Sequence, residues 1–151
     1  MSEWVLTYRG VVYPWHCDHM GHMNVMWYTG KFDEACWQFL SMLGLTPSRF
    51  AHDRTGVAAV EQRIQYQREL RAGDTVTIRS VLLDVSGKSI RMMHEMRADA
   101  IDEVAATTEI VGVHIDSIAR KAVRLPEDVR ERAQQLKEAA LSGIKDWWVS
   151  R

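Results

Sequence analysis

The spacing of apolar and polar positions changes several times along the chain, and each change marks an element. Residues 4–13 alternate, with Trp4, Leu6 and Tyr8 on one side and Val5, Thr7 and Arg9 on the other. That pattern predicts a half-buried strand, ended by Pro14. Residues 14–25 follow no period, are rich in histidine and contain Gly21, and so predict a loop. From Met26 to Leu43 the period becomes helical: Tyr28, Phe32, Ala35, Cys36, Phe39, Leu40 and Leu43 recur at three and four residues as one wide stripe. Lys31, Glu34, Gln38 and Ser41 lie off it. Asn24 suits the N-cap of this helix and Gly44 the position just past its end. A short turn or helix is expected around Pro47–Asp53.

Strand-like patterns then follow in succession over 57–70, 75–85, 89–98 and 103–116. In the first, Val60, Ile64 and Tyr66 share a side and Glu61 faces away as a solvated or interface charge. Arg71-Ala72-Gly73-Asp74 and Ser86-Gly87-Lys88 read as the turns between strands. A last helix is expected near Glu127–Leu141, with Pro126 at its first turn and a stripe of Val129, Ala133, Leu136 and Ala140. Strands joined by short turns imply an antiparallel sheet, and one long helix on one face makes the class α+β. At 151 residues the chain is expected to be a single domain, 1–151. Open sheet edges and apolar residues left on the outer face favour a homo-oligomer.

Composition narrows the function. Apolar residues make up 46% and charged residues 26%, an ordinary globular balance. Nineteen Lys and Arg stand against twenty Asp and Glu, so the net charge is −1 and no nucleic-acid partner is expected. Cys17 and Cys36 form neither a disulfide framework nor a zinc spacing. MSEWVLTYRG lacks the apolar core of a signal peptide, and aliphatic runs such as Val57–Val60 are too short to span a membrane. The expectation is a cytoplasmic protein without a membrane partner. The Trp147-Trp148 pair near the C-terminus reads as a docking tail.

Candidate chemistry concentrates at 13–28, where histidines, a carboxylate, a thiol and an amide precede a helix N-terminus. Unpaired N–H groups and the helix dipole favour negative charge there and suit a developing oxyanion near Asn24, Val25 or Met26. A carboxylate just upstream then either attacks a carbonyl or activates water beside it. His16, Asp18, His19 and His22 have no HExxH spacing and no distant Cys/His pair, so no metal is expected. Cys17 reads as a packed thiol and Cys36 as core. Trp15, Trp27, Tyr28 and Trp37 read either as packing or as a wall for a cationic acyl group such as trimethylammonium.

Asp18-His19-Met20-Gly21-His22-Met23-Asn24, with Tyr28 four residues on, resembles the D-x-x-G-H-x-N-x-x-x-Y signature of hotdog-fold acyl-CoA thioesterases, the 4-hydroxybenzoyl-CoA thioesterase family. The resemblance implies a hotdog fold, a long central helix wrapped by an antiparallel sheet plus a C-terminal helix. It implies dimers or tetramers with acyl-CoA at the subunit interface, and no cofactor other than the coenzyme A of the substrate. It assigns Asp18 as nucleophile or general base and the backbone N–H of Val25 as oxyanion donor, with His22 and Asn24 positioning water or bracing the loop. Trp15, Gly21, Trp27 and Tyr28 are expected against substrate. Lys88 and Ser89 match a hairpin that contacts CoA phosphates, although Ser86 and Gly87 stand where one branch has arginines. Asp33 is the rival base, near where a sister branch places its carboxylate. Dehydratases on this fold resemble D-x-x-x-x-H, whereas Asp18 and His22 have only three residues between them. The alternatives are an acyl-carrier-protein thioesterase, with Arg63, Arg68, Arg71, Arg91 and Arg97 as a basic patch, and a non-catalytic acyl-CoA-binding protein.

Overall fold

The computed structural model describes residues 4–141. Strand β1 (Val5–Val11) leads through a 3-10 turn (Pro14–His16) to helix α1 (Val25–Met42) and short helix α2 (Pro47–Asp53). Strands β2 (Thr55–Tyr66), β3 (Thr75–Val85), β4 (Ser89–Ala98), β5 (Glu103–Asp116) and β6 (Lys121–Ala122) precede helix α3 (Glu127–Leu141). The main path of the sheet is β1-β3-β4-β5-β2, with every pairing antiparallel and β6 added to β5. The expected α+β architecture is the observed one, with the sheet curled about α1. Residues 142–151, which include Trp147 and Trp148, and the side chain of Ala140 lie outside the described residues.

The expected α1 stripe is the buried one. Tyr28, Phe32 and Ala35 pack with Val12, Val76, Ile78 and Met96. Two turns on, Phe39, Leu40 and Leu43 pack with Leu82, Ile90, Met92 and, from α3, Val129 and Ala133. Large side chains buried this completely stabilise by about 1.5–3 kcal/mol each through removal from water. Lys31 departs from expectation: it lies off the apolar stripe yet is only 4% exposed.

Strand β4 alternates as expected, with Ile90, Met92, His94 and Met96 inward and Arg91 outward. The outer face carries ion pairs: Arg79 and Arg97 share Glu95, Arg97 also meets Asp102, and Arg91 pairs with Glu109. The expected strand 57–70 is Thr55–Tyr66 instead. It stops because Gln67 and Arg68 both donate to Ala105 O, which breaks the ladder, and Leu70 turns into the core. Strand β6, not anticipated, forms because Asp116 Oδ1 accepts from the N–H groups of Ile118 and Ala119 and turns the chain back. Strand β2 lies at one end of the sheet path, with residues 59–63 exposed.

Candidate active site

Backbone pairing between distant segments builds the loop before α1. Val12 N donates to Asp74 O and Gly73 N to Val12 O, which fixes where the chain leaves β1. Met23 N donates to Leu70 O at 2.7 Å and Asn24 N to His16 O at 2.9 Å, which fixes where it enters the helix. Between these anchors Asp18 N donates to His22 O and Gly21 N to Asp18 O, a tight turn with Gly21 at φ +82°. That left-handed backbone disfavours a side chain.

Asn24 is the N-cap of α1. Its Oδ1 accepts from Met26 N at 2.9 Å and its Nδ2 donates to Asp18 Oδ2 at 2.9 Å. Asp18 Oδ1 accepts from Met20 N at 2.8 Å. These donors, Asn24 first, hold the Asp18 carboxyl below its ordinary range, with the nearby imidazoles of His19 and His22 adding to the effect. Asp18 is therefore a carboxylate at neutral pH. Asn24 accepts from the N–H groups of Met26 and Trp27, leaving that of Val25 outside its caps at the helix start. A cleft of about 410 Å³ joins these groups, lined by Asp18, His22, Val25, Tyr28, Tyr66 and Glu69 among others.

Tyr28 closes the inner side. Its hydroxyl donates to Arg68 O at 3.1 Å, its ring meets Tyr66 edge-on at 5.2 Å, and burial pushes its pKa up to about 12. His22 Nε2 lies 3.0 Å from Glu69 Oε2. Glu69 was invisible to sequence reasoning, since only the fold brings it to a histidine 47 positions earlier.

The structure thus gathers Asp18, His22, Asn24, Val25 and Tyr28, with Gly21 shaping the turn. It does not bring four other expected residues to this cleft. Trp15, in the 3-10 turn, and Trp27, in the first turn of α1, line a separate cavity on the β1 side of the helix, where both rings pack against His16. Lys88 and Ser89 lie at the far end of β3, whose eleven residues reach up to roughly 35 Å at roughly 3.3 Å per residue. Cys36 is core, and burial pushes its thiol up to about 12. Among the described residues no group of three His, Cys, Asp or Glu side chains converges as a metal site. No helix among them is long and apolar enough to cross a membrane. The arginines proposed as a basic patch are partly neutralised, since Arg68 pairs with Glu103, Arg91 with Glu109, and Arg97 with Glu95 and Asp102.

Comparison with known proteins identifies the family. Residues 12–133 match the model of the thioesterase-like superfamily. The long-chain acyl-CoA thioesterase FadM of Escherichia coli is 30% identical over 122 residues, covering 81% of this chain and 92% of that protein. A betainyl-CoA thioesterase of Pseudomonas aeruginosa is 22% identical over 139 residues, covering 92% and 87%. A Staphylococcus aureus protein solved in complex with CoA superposes with a TM-score of 0.85 at 19% identity, covering 91% and 86%. The chain belongs to the thioesterase-like superfamily and is a hotdog-fold thioester hydrolase.

Proposed function

We propose that this protein hydrolyses acyl-CoA thioesters, with Asp18 as the group that acts on the thioester carbon or on water. The observation that carries the reading is the Asp18–Asn24 hydrogen bond. It ties an ionised carboxylate to the N-cap of the helix whose first N–H groups suit an oxyanion. Relatives named acyl-CoA thioesterases and a neighbour solved with CoA support the substrate class.

In one route an Asp18 oxygen adds to the thioester carbon, the carbonyl oxygen takes the charge beside Val25 N–H, and the thiolate of CoA leaves. Water then hydrolyses the mixed anhydride and restores the carboxylate. In the other, Asp18 takes a proton from water as the water adds, and the thiolate leaves from the same tetrahedral intermediate. Either route consumes only water and needs no added cofactor. His22, held by Glu69, and Asn24 set the position of the carboxylate and of the water.

The active form in this reading is a homo-oligomer. The cleft opens near Tyr66 at the end of β2, and the outer edge of that strand, which pairs with no other strand among the described residues, offers itself to a second copy. Lys88 and Ser89 of another copy are then the phosphate contacts, since those of the same chain lie at the far end of the sheet. Sedimentation that finds only monomers in an active preparation overturns this part.

The experiment is thiol release from short-chain, long-chain, aromatic and trimethylammonium acyl-CoAs, comparing wild type with Asp18→Asn. Turnover of at least one class is expected, reduced in the variant by at least about 100-fold, the lower range for loss of a positioned acid–base group. Full turnover in folded Asp18→Asn moves the base to Asp33. Binding without turnover favours the non-catalytic reading, and turnover of carrier-protein esters alone favours the other alternative.

A further inference from the structure

The cavity on the β1 side of α1 is a second constructed site, separate from the Asp18 cleft. Its volume is about 550 Å³, within the about 300–1,000 Å³ of small-molecule pockets. Tyr8, Tyr13, Trp15, Trp27, Lys31 and Glu34 are among its lining residues.

Lys31 is its unusual member. The residue is 4% exposed, and its ammonium donates to Tyr8 Oη at 3.0 Å and to Val11 O at 3.3 Å. Both acceptors are neutral, and Lys31 enters no ion pair among the described residues. An ammonium has three donors, so one is left over. A buried charge without a counter-charge is costly. Glu34, one turn along α1, lines the same cavity but is exposed and forms no ion pair with Lys31. His16 adds no second cation: its Nδ1 accepts from Tyr13 N, and burial, with the field of Lys31, holds its pKa down.

Glycine permits this arrangement. A Cβ at Gly10 would stand 2.2 Å from Tyr8 Oη. Only a bare backbone lets the Tyr8 ring lie over that strand and bring its hydroxyl to Lys31. Aromatic side chains form much of the wall. Tyr13 and Trp15 stack in parallel at 4.4 Å, and Trp27 packs on His16 at 4.6 Å. Trp15 is 65% exposed and Tyr13 46%, a large apolar surface left to solvent beside a buried cation.

We infer that this cavity binds a small aromatic carboxylate, whose carboxylate pairs with the Lys31 ammonium and whose ring lies among the indole and phenol walls. Charge, donor count and wall chemistry each ask for that ligand, whereas a cationic ligand would meet Lys31. The site does not depend on the thioester reading. His16 lines it, and its carbonyl accepts from Asn24 N on the other side of the loop.

The test is calorimetric binding of benzoate, of neutral benzamide and of benzyltrimethylammonium to the full chain. Benzoate should bind once per chain and at least about tenfold more tightly than benzamide, the worth of a charged hydrogen bond. Lys31→Met should abolish that preference and Lys31→Arg restore it, while Asp18→Asn leaves it unchanged. If Lys31→Met fails to fold, Trp15→Ala, at an exposed position, should weaken benzoate and benzamide alike. No saturable benzoate binding, a benzoate preference that survives Lys31→Met, tighter binding of the cation, binding unchanged in Trp15→Ala, or loss of binding in Asp18→Asn each overturns the inference.

Discussion

Asn24 Nδ2 donates to Asp18 Oδ2 at 2.9 Å while the other end of the same amide caps helix α1 through Met26 N. One side chain therefore sets both the position of the carboxylate and the start of the helix. Asn24→Ala should remove a cap worth about 0.5–2 kcal/mol and release Asp18 together. Asn24→Asp should keep the cap but place a like charge against Asp18. Chemical denaturation should show both variants less stable than wild type, Asn24→Asp through charge repulsion that eases as pH falls, while thiol release shows kcat lowered in both.

Asp18 should titrate below 3.8, the ordinary value for its type, because two donors stabilise its charged form. The sign follows: the carboxylate persists from neutral pH downward and is lost only in acid. Catalysis that relies on it should be flat through neutral pH and fall on the acid side alone. Carbon-detected NMR of the side-chain carboxyl checks this directly. Its midpoint should move up towards 3.8 in Asn24→Ala.

His94 lies in the core between Phe32 and Phe39, with Nδ1 2.5 Å from Ser80 Oγ and no partner for Nε2 among the described residues. Burial pushes its pKa down to about 4 from 6.5. The unfolded chain binds this proton between those values and the folded chain does not. Stability is therefore fully present above 6.5 and is lost as pH falls towards 4. The loss integrates to about 3 kcal/mol at about 1.4 kcal/mol per pH unit. Urea unfolding across this range should show the slope, and His94→Leu should flatten it. A slope unchanged in that variant assigns it to another group.

Gly21 adopts φ +82° with open space around its Cα, so the cost of a side chain there is backbone strain alone. Gly21→Ala should destabilise the protein by about 1–2 kcal/mol. Gly21→Asn should cost less, because asparagine tolerates that region. The strain falls in the turn that closes on Asp18, so kcat should fall further in Gly21→Ala than its stability loss explains. Parallel unfolding and thiol-release measurements separate the two effects.

Much of this was legible in local pattern. The α1 stripe reads from its period, since a helix repeats its buried face every 3.6 residues whatever packs on it. Asp18, Gly21, His22 and Asn24 lie within seven residues, so their hydrogen bonds close within one loop and their spacing survives in the sequence. Lys31 shows the limit. A lysine off the apolar stripe reads as solvated, and it is buried because β1 lies across it and offers Tyr8 Oη and Val11 O.

The sequence by itself determined the order of the elements apart from β6, the inward face of α1 and β4, and the loop that holds Asp18 against Asn24. These depend on contacts between residues a few positions apart, and the periods of helix and strand record them. Tertiary structure alone decided that β2 ends at Tyr66, that Glu69 meets His22, that Trp15 and Trp27 face another cavity, and that Lys88 and Ser89 stand at the far end of the sheet. Each of those follows from how distant strands pair and how the sheet curls, and the register between segments tens of residues apart is written in no local pattern.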